Sequence, residues 1–178
     1  MSYVRRTKLK AVVFIDHSNL ASPILEPTLQ KCTRIDYKKL KTRLLNGYEG
    51  IGAYVFMGMP DPIRPEKEKF LDYIEKAGFI AFTRPLAKRK DGTYEQKQVD
   101  IFMTLFMENQ AQMNVFDVAI LVSGDADFVI AVNLLKDLNK DVIIWSWKNA
   151  LSVQLREAVG EDNVFYIDDI WHTIKKSK

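Results

Sequence analysis

Short uninterrupted runs of apolar residues alternate along the chain with segments in which apolar residues recur at helical spacing. Such runs predict strands that are buried on both faces. We expect strands at Ala11–Ile15, Gly52–Met57, Gly78–Phe82, Val118–Val122 and Asp141–Trp147, and a short last strand at Asn163–Ile167. We expect helices at Tyr37–Leu45, Pro65–Ala77, Val99–Gln112, Phe128–Lys136 and Leu151–Val159, and a C-terminal helix that Asp168 and Asp169 cap. The alternation predicts βαβ crossovers and therefore a three-layer α/β/α sandwich with a mostly parallel sheet.

Three segments depart from this simple pattern. Ser22–Thr33 contains two prolines and predicts a loop. Arg84–Gln98 predicts a basic loop. In Val99–Gln112 the apolar residues nearly encircle the predicted helix, so we expect deep burial or cover by a partner, which leaves a homodimer open.

The fourth predicted strand is followed directly by Ser123-Gly124-Asp125-Ala126-Asp127, so two carboxylates lie where a buried strand gives way to a helix. Asp16 ends the first strand, and Asp100 lies in the first turn of the helix after the basic loop. If the first and fourth strands are neighbours, these side chains converge at the edge where open α/β sheets bind ligands.

Carboxylates without histidine or cysteine partners form a hard, oxygen-only donor set, which favours Mg²⁺ or Mn²⁺. Any one of the aspartates could instead cap a helix or complement its dipole. One cap is enough, however, and two aspartates follow the fourth strand, so the set favours a metal site. Asn19 and Ser123 are expected to orient the carboxylates. His17 is expected to point away from them, because side chains alternate along a strand.

The 178 residues suit one domain, which we assign to residues 1–178. A single cysteine, Cys32, fits a reducing compartment, and no apolar run approaches a membrane span, so we expect a cytoplasmic protein. The net charge is only +3, so nucleic-acid affinity would have to come from local clusters. The candidate phosphate contacts are Arg84, Lys88, Arg89, Lys90 and Lys97, because their loop leads directly into Asp100.

Three stretches, Val13–Asn19, Lys97–Asp100 and Leu121–Phe128, resemble the signature of NYN-domain proteins, most closely the LabA-like branch of the PIN-like nucleases. The resemblance covers about residues 10 to 170. It implies a sheet with strand order 3-2-1-4-5 and RNA cleavage that depends on Mg²⁺ or Mn²⁺. Carried over by position, Asp16, Asp100, Asp125 and Asp127 form the acidic site, and Asn19 and Ser123 support it.

One stretch departs from the family pattern. Family members often carry a serine, then a leucine, then an Ala-Asp-x-Phe element. Ser152 and Leu155 fit this pattern, but residues 159–165 are stretched. Asp162 is therefore left without an assigned role.

These observations support a metal-dependent endoribonuclease as the first hypothesis. A non-catalytic RNA-binding or protein-interaction module that keeps the acidic pocket is the alternative. A third class transfers phosphate through an aspartyl phosphate. Such phosphatases need Asp-x-Asp after the first strand, where this chain has Ser18, and receiver domains need an acceptor after the third strand, where residues 81–84 offer none. The third class is therefore ranked last.

Overall fold

The structure is a computed structural model of the chain, and it describes residues 7–25, 34–88, 94–95 and 97–176. The strands are β1 (Lys10–Asp16), β2 (Arg34–Ile35), β3 (Glu49–Met59), β4 (Ile80–Pro85), β5 (Ala87–Lys88), β6 (Tyr94–Glu95), β7 (Val118–Val122), β8 (Asp141–Ser146), β9 (Val164–Tyr166) and β10 (Lys175–Lys176). The helices are α1 (His17–Ala21), α2 (Tyr37–Leu44), α3 (Pro65–Lys76), α4 (Lys97–Gln112), α5 (Val129–Asp137), α6 (Val153–Val159) and α7 (Ile167–Ile174). Single turns of 3-10 helix lie at Ser22–Leu25, Ala126–Phe128 and Glu161–Asn163.

Six strands form one sheet in the order β4-β3-β1-β7-β8-β9, and every neighbouring pair is parallel. The prediction of a mostly parallel α/β fold is confirmed. Numbered as the six predicted strands, the order is 3-2-1-4-5-6, which contains the order that the family resemblance implies. The first strand therefore has the second on one side and the fourth on the other. Ile15 of β1 pairs with Val122 of β7, which brings the carboxyl ends of these two strands together.

The helices cover both faces of the sheet. Alternate residues of β1, including Val13 and Ile15, pack with α1, α2, α3 and α7. The residues between them, Val12 and Phe14, pack with α4, α5 and α6. In this second layer Phe14 contacts the ring of Phe106 edge to face. No helix in the described part of the chain is long and apolar enough to cross a membrane.

Several predicted boundaries shift because pairing and turn geometry override local pattern. Strand β3 extends to Met59, since Met59 still pairs with Pro85 of β4. Gly78 does not begin β4; it follows the C-cap of α3 at a φ of +83°, a conformation that suits glycine. Arg84 lies in β4 rather than in a loop.

The two predicted loops are described in part. Strands β5 and β6 pair as a short antiparallel hairpin within the predicted basic loop. Arg89 and Lys90 of that loop lie outside the described residues, as does most of Ser22–Thr33, including Cys32.

We expected α4 to be deeply buried or covered by a partner; one side of the helix is deeply buried, and cover of the other side by a partner stays a prediction. Met103 and Met107 are fully buried, but Ile101 and Leu105 are 60% and 58% exposed. These two exposed side chains lie four residues apart, on the same side of the helix.

Candidate functional site

The structure brings the four predicted aspartates to one edge of the sheet. Asp16 ends β1, Asp125 and Asp127 follow β7, and Asp100 lies in the first turn of α4. The pKa of Asp100 is raised to about 6, first by burial and then by repulsion from the other three carboxylates. Asp100 is therefore close enough to the other three carboxylates to be affected by their charge.

Asp16 is almost completely buried and is held by several donors. Its Oδ1 accepts hydrogen bonds from Ser18 N (3.0 Å), Ser18 Oγ (2.7 Å) and Asn19 N (3.2 Å). Its Oδ2 accepts from Ser123 Oγ at 3.1 Å. Burial raises the pKa of Asp16, whereas these hydrogen bonds lower it, and burial is the larger effect. Asp16 thus caps α1, as the capping alternative expects, and also lies within the acidic cluster.

The two predicted supporting residues connect the ends of β1 and β7. Asn19 Oδ1 accepts a hydrogen bond from Gly124 N at 2.9 Å. Ser123 Oγ donates to Asp16 and accepts from Asp125 N at 3.2 Å. One serine hydroxyl therefore links two of the aspartates across neighbouring strands.

Gly124 is required for a packing reason that the sequence does not reveal. A Cβ atom added at this position would lie 2.5 Å from Ser146 Oγ and closer still to the carbonyl oxygen of Ala150. The Gly124 carbonyl also accepts a hydrogen bond from Ser152 N at 2.8 Å. The end of β8 and the segment after it therefore pack directly against the Ser-Gly-Asp turn and fix its position.

The two aspartates after β7 are both exposed but have different places in the turn that follows. Asp125 caps the 3-10 turn, because its Oδ1 accepts a hydrogen bond from Asp127 N at 3.0 Å. Asp127 lies inside that turn. The capping alternative therefore accounts for Asp125 but does not account for Asp127.

A cleft between α4 and the turn that leads into α5 begins at these carboxylates. Its volume is about 390 Å³. Its lining residues are Asp100, Ile101, Thr104, Leu105, Ala126, Asp127 and Ile130. Sequence reasoning missed the aliphatic part of this cleft, although the surplus of apolar residues around α4 was a signal for it.

The oxygen donors of the acidic cluster suit a divalent cation, but the side chains are not grouped as a coordination shell. All the candidate donors are carboxylate or hydroxyl oxygens. Among the side chains that the structure describes, which do not include those of Lys88 and Lys97, no ion pair involves these four aspartates. Within the described residues, no three His, Cys, Asp or Glu side chains are grouped closely enough to hold a metal ion. Carboxylates that repel one another favour a hard cation. That the aspartates share one stays a prediction.

His17 is the first residue of α1 rather than a strand residue, but it projects into the layer opposite Asp16, as predicted. Its Nδ1 lies 2.8 Å from the hydroxyl of Tyr37, and its ring centroid lies 5.0 Å from that of Phe70. Burial, with a smaller contribution from the charge of Lys67, lowers the pKa of His17 to about 4. This histidine is a neutral packing residue and does not belong to the acidic cluster.

The candidate phosphate contacts are only partly described. The Arg84 guanidinium carbon lies 3.9 Å from the ring centroid of Phe102 on α4, two residues after Asp100. Lys88 ends β5 and Lys97 begins α4. Arg84 is thus held by a cation–π contact beside the helix that carries Asp100.

The sheet order and the acidic edge define an α/β protein of the PIN-like class. The NYN domain family matches residues 10–165, and the chain belongs to this family. The low amplitude and bright protein LabA of Synechococcus elongatus is 26% identical over 135 residues, which cover 73% of this chain and 69% of LabA. These two matches support a nuclease-like or RNA-related role.

A solved structure supports the fold. A Vibrio parahaemolyticus protein of unknown function superposes with a TM-score of 0.75 at 24% identity, over 95% of this chain and 98% of that one. At this level of identity the likeness concerns the α/β/α layout alone.

Proposed function

We propose that the protein is a metal-dependent endoribonuclease. The observation that carries the proposal is the convergence of four carboxylates at the edge between β1 and β7, with no ion pair to a cation among the side chains that the structure describes. Such an edge is where open α/β sheets bind ligands. Membership of a family related to PIN nucleases supports RNA as the substrate.

Asp16, Asp100, Asp125 and Asp127 would hold Mg²⁺ or Mn²⁺. A bound divalent cation supplies Lewis-acid stabilisation of the charge that develops on a phosphate under attack. The residues around it keep the carboxylates in position. Ser18 and Asn19 fix one oxygen of Asp16, and Ser123 fixes the other.

Basic residues would bring the RNA backbone to this acidic edge. Arg84 is held against Phe102, and a guanidinium can contact phosphate oxygens with two parallel hydrogen bonds. The other proposed contacts are Lys88, Arg89, Lys90 and Lys97. Phosphate neutralisation makes affinity fall with salt, by about 0.7 in logarithmic slope per contact on single strands.

One observation favours the alternative of a non-catalytic RNA-binding module: the carboxylates are not grouped around an ion within the described residues. Mn²⁺-dependent cleavage of mixed RNA substrates separates the two functions. We expect cleavage by the wild type with Mn²⁺ and none with chelator. Binding without cleavage would favour the alternative.

A second measurement tests the RNA path. We expect that Lys88→Ala, Arg89→Ala and Lys90→Ala together weaken RNA binding and flatten its salt dependence. An unchanged slope would move the path elsewhere, for example to Lys38, Lys39 and Arg43 on α2.

A further inference from the structure

The cleft beside the acidic site is acidic at one end and aliphatic along its walls. Asp100 and Asp127 form its acidic end, and Ile101, Leu105 and Ile130 form its walls. We call these three aliphatic residues and the space between them the aliphatic cleft. Two of the residues come from α4 and one from α5, so the sheet and both helices fix its shape.

The side chains that form the walls of the aliphatic cleft are largely exposed to solvent and are not part of the hydrophobic core. Ile101, Leu105 and Ile130 are 60%, 58% and 67% exposed, whereas Met103 and Met107 on the buried side of α4 are fully buried. Single exposed aliphatic residues are ordinary, but a contiguous group of them beside polar residues marks a binding surface.

We propose that the aliphatic cleft holds an unpaired base of the RNA strand, next to the phosphate that lies at the acidic site. The inference rests on the proposed function. Asp100 and Asp127 line both the acidic cluster and the cleft, so a strand whose phosphate reaches these carboxylates has the adjoining base at the aliphatic walls. The faces of a base are apolar and pack against aliphatic side chains.

The size and polarity of the cleft suit one base. Its volume of about 390 Å³ lies at the lower end of the range for small-molecule sites, about 300 to 1,000 Å³. Thr104 supplies a hydroxyl that can donate or accept a hydrogen bond at the edge of a base. A base in an A-form duplex has both faces stacked on neighbours, so the aliphatic walls are available only to an unpaired base.

A second copy of the chain fits this surface poorly. A symmetric dimer places the same patch of both copies face to face, which would bring the Asp100 and Asp127 carboxylates of both copies together. Like charges repel at that distance. A stable dimer also buries about 800 Å² per partner, and the aliphatic cleft offers only three large side chains.

The test compares RNA binding by two matched variants. The first carries Ile101→Ala, Leu105→Ala and Ile130→Ala. The control carries Ile51→Ala and Ile80→Ala, which change exposed aliphatic residues near the amino ends of β3 and β4. Exposed truncations of this kind are expected to leave the fold intact. The probes are a fluorescent 12-nucleotide single-stranded RNA of mixed sequence and the same strand with abasic residues at its central positions. Binding is followed by anisotropy with Ca²⁺, and a gel checks that the RNA stays intact.

We expect the cleft variant to bind the complete strand about tenfold more weakly, at the low end of the effect for side chains that stack on bases. Its affinity for the abasic strand and its salt slope should match those of the wild type, and the control should behave as the wild type does on both probes. A second measurement follows the methyl resonances of Ile101 and Ile130 by NMR. They should shift upfield with a nucleoside monophosphate, whose ring current reaches them, and should not shift with ribose 5-phosphate.

Three results would overturn the inference. The cleft variant could bind the complete strand as tightly as the wild type does, or it could lose the same affinity for the complete and the abasic strand. Light scattering could also show that the wild type is a dimer and the cleft variant a monomer. If the wild type cleaves RNA with Mn²⁺ while the cleft variant binds normally, the inference fails and the proposed function stands. If the wild type neither binds nor cleaves RNA, the proposed function fails and the inference fails with it.

Discussion

Asp16 and His17 are neighbours in the chain, and they lie in opposite layers of the molecule. Asp16 faces α4 and the acidic cluster, where it accepts hydrogen bonds from Ser18, Asn19 and Ser123. His17 faces α2 and α3, where it contacts Tyr37 and Phe70. Burial shifts the pKa of both groups toward the neutral form, up for the carboxyl and down for the imidazole.

The residues around each buried group determine whether it favours a bound cation or neutral packing. Asp16 lies beside Asp100, whose pKa is raised by burial and by repulsion from Asp16 and the two other carboxylates, and a cation would relieve that repulsion. Around His17 there are aromatic rings and a tyrosine hydroxyl, so a neutral ring packs without needing a counter-ion. The acidic side is thus arranged for a ligand and the aromatic side for stability.

The largest expected effect is at Asp125. Asp125→Asn should lower Mn²⁺-dependent cleavage by at least about 100-fold, since loss of a mere supporting group already costs about 10- to 100-fold. Asparagine keeps the cap, so the melting temperature without metal should be equal or higher as repulsion falls. The rise in melting temperature that Mn²⁺ gives the wild type should be largely lost.

Asp36→Asn is the matched control for this prediction, because Asp36 caps α2 away from the site through Lys39 N. Differential scanning fluorimetry with and without Mn²⁺ measures both variants. If Mn²⁺ raised the melting temperatures of Asp125→Asn and the wild type equally, the acidic side of β1 would not be a metal site.

The next effect is expected at Ser123. Ser123→Ala should lower Mn²⁺ affinity about 10- to 100-fold, since its hydroxyl links Asp16 to the backbone of Asp125. Ser146→Ala is the control: this serine is equally buried and its hydroxyl also borders the Gly124 turn, but that hydroxyl has no hydrogen-bond partner among the described residues, so its loss should be nearly neutral. Calorimetric titration with Mn²⁺ measures both. The same affinity in both variants would show that the link is not needed.

On the aromatic side, Tyr37→Phe should lower the free energy of unfolding by about 1 to 2 kcal/mol. It leaves His17 Nδ1 without the tyrosine hydroxyl while keeping the packed ring. Mn²⁺ binding and cleavage should not change. Urea unfolding and the cleavage assay test this together. A loss of cleavage at unchanged stability would place His17 or Tyr37 in the active machinery.

The smallest effect is a difference in pH dependence without metal. The pKa of His17 is about 4 in the fold against an ordinary 6.5, so the unfolded chain binds more protons and stability falls as pH drops from 6.5 toward 4. The pKa of Asp100 is about 6 against 3.8, so the folded chain binds more protons and stability rises as pH drops from 6 toward 4.

The two contributions oppose each other in the wild type. Asp100→Asn should therefore make the loss of stability on acidification steeper, and His17→Phe should make it shallower. Each change is at most about 1.4 kcal/mol per pH unit, the limit for one proton. Urea midpoints at pH 4.5, 5.5 and 6.5 measure these slopes. Parallel slopes in all three proteins would contradict the opposed pKa shifts.

Much of the fold followed from the sequence because periodicity is a local property. The apolar runs of β1 and β7 identified two buried strands, and alternation along β1 assigned Asp16 and His17 to different faces. The placement of Asp125 and Asp127 after a buried strand pointed to the carboxyl edge of the sheet. Local pattern did not place the ends of β3 and β4, which depend on the pairing of Met59 with Pro85 and on the left-handed conformation of Gly78.

Contacts between residues far apart in the chain were decided only by the tertiary structure. The hydroxyl of Ser123 reaches Asp16 across 107 residues, and the carbonyl of Ala150 leaves no room for a side chain at Gly124. Periodicity marks the apolar positions of α4, but it does not tell that Met103 is covered while Ile101 is exposed. The sequence thus determined which residues reach the edge of the sheet. Their burial, pKa values and hydrogen bonds depend on neighbours that only folding brings together, because desolvation and electrostatics act through space rather than along the chain.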